Sequence, residues 1–327
     1  MATHDAEARV KVLSIVGTGR SGTTVLAAIL GETPGIFNAG ELHWVWSRSL
    51  SEQRPCGCGR PPAECPIWSR VVEEALDVPL DAQAGHQGGR FTAAIVTDEQ
   101  ELLSRRNRIP LFRNVDSAGP EWPALDRMRA VTSRLYASLV GATGARVIVD
   151  ASKRPEDAAV LAGIDSLDHY VLHIVRDPRA VVFSWSRAKA SPDGGTVMRR
   201  MRPPRIVLAW MENNAGAELL RRHVPRDRWL FTRYEDFVSQ PRQVVKEILA
   251  FMGEEGDPPF ISPDTVVLDV NHTLLGNPDR FRTGKVRISP DDRWRTELSR
   301  RLRTVIGAVT LPLMHRYGYL WSNSPRG

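Results

Sequence analysis

The stretch "KVLSIVGTGRSGTTVLAAIL", residues 11–30, constrains this chain more than any other. A β-branched run passes into a loop bounded by Gly17 and Gly22, and then into helix-forming residues. A strand, a glycine-bounded turn and a helix in that order aim backbone N–H groups at an anion, and the helix start adds its positive dipole end. The usual phosphate loop reads G-x-x-x-x-G-K-[ST], and its lysine reaches a triphosphate beside magnesium. Here Thr23 stands where the lysine should be, Thr24 follows, and the cation is Arg20, two residues before the second glycine. An arginine fork beside Gly19 and the Ser21, Thr23 and Thr24 hydroxyls suits a phosphate monoester or mixed anhydride better than a magnesium triphosphate.

Three further apolar runs read as buried strands: "RVIVDAS" (146–152), "YVLHIVR" (170–176) and "RWLFTRY" (228–234). Each is followed by a helix-like segment, with Pro155 and Pro178 at first-turn positions and Gly253 closing "QPRQVVKEILAFMG". That alternation predicts an α/β fold with a phosphate-loop-like, doubly wound parallel sheet flanked by helices. Residues 41–144 break the alternation, with helix-like runs near 66–76, 97–107 and 123–140 and a Gly/His-rich stretch, "AQAGHQGGR". They are expected to form an inserted, mostly helical acceptor-binding lobe over the carboxyl ends of the strands, with 203–222 adding to its wall. The chain is read as one domain over 1–327, its core at about 9–40 and 145–327.

The 327 residues can bury a substantial core, and the composition is that of a globular protein. A net charge of +6 favours anionic ligands but is too small to indicate nucleic-acid binding. The cations are mostly arginine; the lysines are Lys11, Lys153, Lys189, Lys246 and Lys285. No apolar run reaches the roughly 20 residues that span a bilayer. The start, "MATHDAEARVKVLSIVG", carries acids and enters a strand directly, so no signal peptide and a cytoplasmic location are expected.

A second anchor lies in "HIVRDPRAVVFSWSRAK": Arg176 ends a strand, and Ser184 follows about two helical turns later. Together, "GTGRSGTT" and "RDPRAVVFS" resemble the 5′-phosphosulfate and 3′-phosphate loops of sulfotransferases that use 3′-phosphoadenosine 5′-phosphosulfate (PAPS). "YEDF" (234–237) resembles the adenine-side segment of that family, and "GNPDRFRTGK" (276–285) its late basic loop. The likeness is nearer to bacterial and tyrosylprotein sulfotransferases, where arginine takes the place of Arg20; many cytosolic members carry lysine there. It implies PAPS as donor, adenosine 3′,5′-bisphosphate (PAP) as product and no metal in the chemistry. A transferring sulfuryl group carries less negative charge than a γ-phosphoryl group, so arginine, lysine and helix-end N–H groups suffice.

The resemblance assigns Gly19, Arg20, Ser21, Gly22, Thr23 and Thr24 to the 5′ side and Arg176 and Ser184 to the 3′-phosphate. Tyr234 lies with the adenine, and Arg282, Gly284 and Lys285 close over the site. Arg20 and Lys153, the latter in "VDASKRP" at a strand's carboxyl end, would stabilise the leaving phosphate, with Arg154 able to substitute. "NAGELHW" offers Glu41 as the base, since a glycine–glutamate pair stands here in similar enzymes; His43 is the alternative. Trp44, Trp46, Trp68 and Trp122 suggest an aromatic-walled pocket for a small-molecule, sugar or lipid-linked acceptor such as a glycolipid. A small-molecule kinase and a non-catalytic nucleotide-binding protein are the competing readings. The three cysteines, Cys56, Cys58 and Cys65, lack a fourth zinc ligand unless His43 or another residue joins, and are expected to be reduced thiols in a Pro/Gly-rich loop. Oligomeric state is not readable.

Overall fold

The alternating strands and helices build a five-stranded parallel sheet in a computed structural model, which describes residues 9–76, 87–115, 121–187, 189–190, 197–198 and 200–319. The chain opens with β1 (Val10–Gly17), α1 (Thr23–Gly31) and β2 (Ile36–Gly40). Helical turns over residues 42–50 lead into the lobe: α2 (Trp68–Leu76), α3 (Gln87–Leu102), α4 (Arg108–Arg113) and α5 (Pro123–Thr143). The core resumes with β3 (Val147–Lys153), α6 (Pro155–Ala162), β4 (Leu167–Val175) and α7 (Pro178–Ser186). A two-residue ribbon, β5 (Lys189–Ala190) with β6 (Val197–Met198), precedes α8 (Pro203–Leu220), β7 (Trp229–Arg233), α9 (Tyr234–Ser239) and α10 (Pro241–Phe251). Then come β8 (Phe260–Ser262), β9 (Thr265–Leu268), β10 (Gly284–Arg287), α11 (Trp294–Glu297), α12 (Arg300–Val309) and α13 (Leu311–Arg316).

The sheet order is β2-β3-β1-β4-β7. Successive residues of a strand face opposite sides, and the apolar strands are covered on both. Leu13, Ile15, Val147 and Val149 pack with α1, α10 and the small β8–β10 sheet. Val12, Val16 and Ile148 pack with Trp68, Leu139 and Leu161 of the lobe and α6. Helix starts follow local chemistry. Asp177 caps α7 by accepting from the Arg179 N–H at 2.8 Å, and prolines open α5, α6, α8 and α10.

The sequence indicated four of the five strands. The fifth, "IFNAG", is only five residues long and ends in residues with little strand preference, so its position comes from pairing with β3. The lobe is helical as expected, but its second described α-helix spans Gln87–Leu102 rather than 97–107, and residues 82–86 of the Gly/His-rich stretch lie outside the described residues. The antiparallel β8–β10 sheet was not expected. No helix among the described residues is long and apolar enough to cross a membrane.

Candidate active site

Every strand of the central sheet ends at the same cleft, of about 530 Å³. Gly19 and Arg20 follow β1, Glu41 follows β2, Lys153 ends β3, Arg176 follows β4 and Tyr234 follows β7, and all line it. Parallel strands put their carboxyl ends on one edge, and ligands of open α/β folds bind there. The backbone is strained on that edge. Four non-glycine residues among the described ones take positive φ, and three of them line the cleft: Arg20 (72°), Lys153 (74°) and Leu275 (52°). Each such conformation costs about 1–3 kcal/mol and persists only where the surroundings enforce it.

The loop after β1 is closed by Gly22, at φ 79°. A Cβ there would lie 2.7 Å from Tyr234 Cδ2, so a glycine lets the tyrosine ring sit against the loop. Thr23, Thr24 and Ser184 also line the cleft. Arg176 donates from Nη1 to the Arg20 carbonyl at 3.0 Å and lies 4.2 Å above the Tyr234 ring centre. Arg20 lies 4.9 Å above the ring of Trp185, whose indole donates to the Gly19 carbonyl at 3.4 Å. Both arginines keep a buried Nε without a partner. Burial pulls Arg20 below its ordinary pKa, Asp279 opposes this, and Arg176 adds to the lowering. Two partly desolvated guanidinium groups beside a helix start can hold an anion with phosphate geometry.

The opposite wall holds the carboxylate. Lys153 donates to Glu41 Oε1 and, at 3.2 Å, to the Ala151 carbonyl. Glu41 is fixed from behind, because Leu274 N donates to the Ala39 carbonyl and Glu41 N to the Leu274 carbonyl, both at 3.0 Å. A buried relay positions the next residues. Tyr136 OH donates to Asp150 Oδ2 at 2.7 Å, the Ser152 hydroxyl donates to Asp150 Oδ1, and His43 N donates to Ser152 Oγ at 3.1 Å. Burial raises Asp150 to about 6, and the Ser152 and Tyr136 hydrogen bonds oppose it. Burial, then Arg154, Lys153 and Arg48, hold His43 well below its ordinary pKa, so the imidazole is neutral near pH 7. His43 and Ser152 also line a second cavity, of about 60 Å³, between the lobe and β3 and α6 of the core. Its wall includes Trp46, Leu102, Met128 and Glu99, whose pKa burial and Asp157 raise to about 8 against the pull of Arg154.

Four expected residues fall elsewhere. Ser21 is fully buried beneath the loop. Arg282, Gly284 and Lys285 do not line the cleft. Gly284 and Lys285 pair with Leu268 and Val267, and that backbone pairing commits the segment to the small sheet. The part of this stretch that reaches the cleft is Gly276, Asn277 and Asp279. Of the tryptophans, Trp44 lines the cleft, Trp68 is core, and Trp122 donates to Glu101 at 2.9 Å. Arg48, Trp185, Asn213 and Leu275 were missed; Trp185 could have been found, since it adjoins Ser184 on the same helix.

Fold and cleft together define an α/β protein of phosphate-loop-like topology with a basic, ligand-sized site at the carboxyl edge of its sheet. The profile of a sulfotransferase family matches residues 90–258, just over half of the chain, which therefore belongs to that family. Mouse (Mus musculus) carbohydrate sulfotransferase 3 is 28% identical over 164 residues, 47% of this chain and 34% of that protein, so the match spans about a third of the curated relative. The sulfotransferase domain from the curacin biosynthetic pathway superposes with a TM-score of 0.50 at 17% identity, covering 92% of this chain and 97% of its own. The sulfotransferase domain of the Synechococcus PCC 7002 olefin synthase gives 0.48 at 21% identity, over 94% and 96%.

Proposed function

We propose that this sulfotransferase moves a sulfuryl group from PAPS to a hydroxyl, or an amine, of a small-molecule, sugar or lipid-linked acceptor. The observation that supports this most is the pair of facing walls: two arginines with buried, unpartnered Nε atoms on one, a carboxylate–lysine pair on the other. The donor supplies a sulfuryl group joined to its 5′-phosphate as a mixed anhydride. Gly19–Thr24 and the start of α1 would hold the 5′ side, Arg176 and Ser184 the 3′-phosphate, and Tyr234 the adenine side. Glu41 takes the acceptor proton as the acceptor oxygen bonds to sulfur and the bond from sulfur to the phosphate oxygen breaks. Arg20 and Lys153 meet the charge left on that oxygen. Glu41 is favoured over His43 because burial and three cations make the imidazole a weak base. The reading takes the chain as one domain, since a single apolar cluster runs from Val12 through Trp68 to Leu139.

Incubation with sulfur-35-labelled PAPS and a mixed acceptor panel, with and without a magnesium chelator, tests this reading. Labelled product in both arms is the expected result. Turnover of ATP that stops with chelator would point to phosphoryl transfer instead. Tight binding of PAP without transfer to any acceptor would make the chain a binding protein.

A further inference from the structure

The cysteine loop gains a partner that its sequence neighbourhood does not offer. Cys56, Cys58 and Cys65 are free thiols, and their sulfurs converge on His272, more than two hundred residues later in the chain. The four ligand atoms lie within 4.8 Å of one another. Cys65 Sγ is 3.7 Å from Cys56 Sγ, and His272 Nδ1 is 3.2 Å from Cys65 Sγ and 3.9 Å from Cys56 Sγ. A tetrahedral zinc ion with bonds of about 2.3 Å to sulfur and about 2.0–2.1 Å to nitrogen would set its ligands about 3.8 Å apart for S···S and about 3.6 Å for S···N. The two S···N separations bracket the second value, and the Cys56–Cys65 separation lies close to the first.

The surroundings hold the four groups in place. Cys56 N donates to the Arg60 carbonyl and Gly59 N to the Cys56 carbonyl, both at 2.8 Å, which closes a tight turn around the C-x-C pair. The His272 backbone is held by the Trp68 indole, which donates to its carbonyl at 2.5 Å. Gly57 N donates to the Thr273 carbonyl at 2.9 Å. A side chain at Gly57 would collide with the Asn271 amide. Arg280 bridges to the Pro55 carbonyl at 3.2 Å.

We infer that Cys56, Cys58, Cys65 and His272 form a closed, structural zinc site that clips the start of the lobe to the segment 271–276. Four protein ligands leave no open position, so the ion would have no part in sulfuryl transfer. Its effect on the active site is positional. The clipped segment is the one whose Leu274 hydrogen-bonds on both sides of Gly40 and so fixes Glu41. His43, weighed as a fourth ligand, faces the cleft instead.

Elemental analysis of the full chain, purified under reducing conditions from zinc-supplied cells, tests the site independently of any transferase assay. The expected content is about one zinc per chain, retained after passage over a weak chelating resin. Cys58→Ser, at a half-buried position, and His272→Ala should each lose the ion, while His272→Cys keeps it. Cobalt added to zinc-depleted protein should give the intense visible absorption of a tetrahedral thiolate complex. Zinc-free wild-type protein, equal zinc in wild type and both loss variants, a weak octahedral cobalt spectrum, or a Cys56–Cys65 disulfide found by mass spectrometry would each overturn the site. None of these results depends on the donor or on the role of Glu41.

Discussion

The two walls of the cleft are made differently. The wall after β1, β4 and β7 is local: Arg20 and Thr23 flank one loop, Arg176 and Ser184 share one turn and helix, and Tyr234 starts the helix after β7. The wall after β2 and β3 is collected from afar. Glu41, Lys153 and Leu275 come from three distant stretches; Leu274 holds the Glu41 backbone, and a relay that begins at Tyr136 in the lobe ends at the His43 N–H. On the proposed reading, the first wall grips the donor's anionic groups and the second manages one proton and one charge. A loss on the first should therefore appear in donor binding, and a loss on the second in turnover.

The sharpest break comes at Glu41. Glu41→Gln should lower kcat by roughly 10²–10⁴-fold, the usual worth of a general base, while the Kd for PAP stays near wild type. A variant that kept full kcat would remove Glu41 from the chemistry and leave His43 as the base.

Asp150 tests the support behind that wall through pH. Its carboxyl is raised from 3.8 to about 6, chiefly by burial, so the folded chain holds a proton that the unfolded chain releases. The stabilisation is complete below about pH 4 and is lost as pH rises through about 6, a change of order 3 kcal/mol. Urea unfolding of the wild type should slope downward over that window relative to Asp150→Asn. Parallel curves would mean that Asp150 titrates normally.

On the other wall, Arg176→Ala should weaken PAP binding by about 10- to 150-fold in calorimetry, equivalent to one lost charged hydrogen bond of about 1.5–3 kcal/mol. Arg20→Ala should reduce kcat as well, because the charge it faces grows in the transition state. If both arginine variants changed only kcat, the division between the walls would be wrong. The smallest effect is expected at Gly22→Ala. A left-handed backbone and contact with Tyr234 should cost about 1–2 kcal/mol in urea unfolding and weaken PAP binding. An unchanged unfolding midpoint would show that the tyrosine can step aside.

The same contrast explains what was legible beforehand. The grip was readable because each of its parts sits within its own strand–loop–helix unit, and the family resemblance covers those units. Lys153 was found as a residue after an apolar run and Glu41 through the resemblance, but nothing local says that they form an ion pair. Leu274, Leu275 and His272 had no signal, since a bridge to Gly40 and a meeting with three cysteines exist only once the chain is folded. Arg282, Gly284 and Lys285 show the converse: a basic, glycine-bearing stretch reads as a closing loop, but these three do not line the cleft, and Gly284 and Lys285 pair with β9.

Because each working group stands at or just past the tip of a different strand, the separations between them are inherited from the hydrogen-bond ladder. Sliding any one strand by a single residue would lift its group by about 3.3 Å and turn its side chains to the other face of the sheet. The geometry of the cleft is thus a property of strand alignment, and distant core substitutions that leave the stability intact would still mistune it.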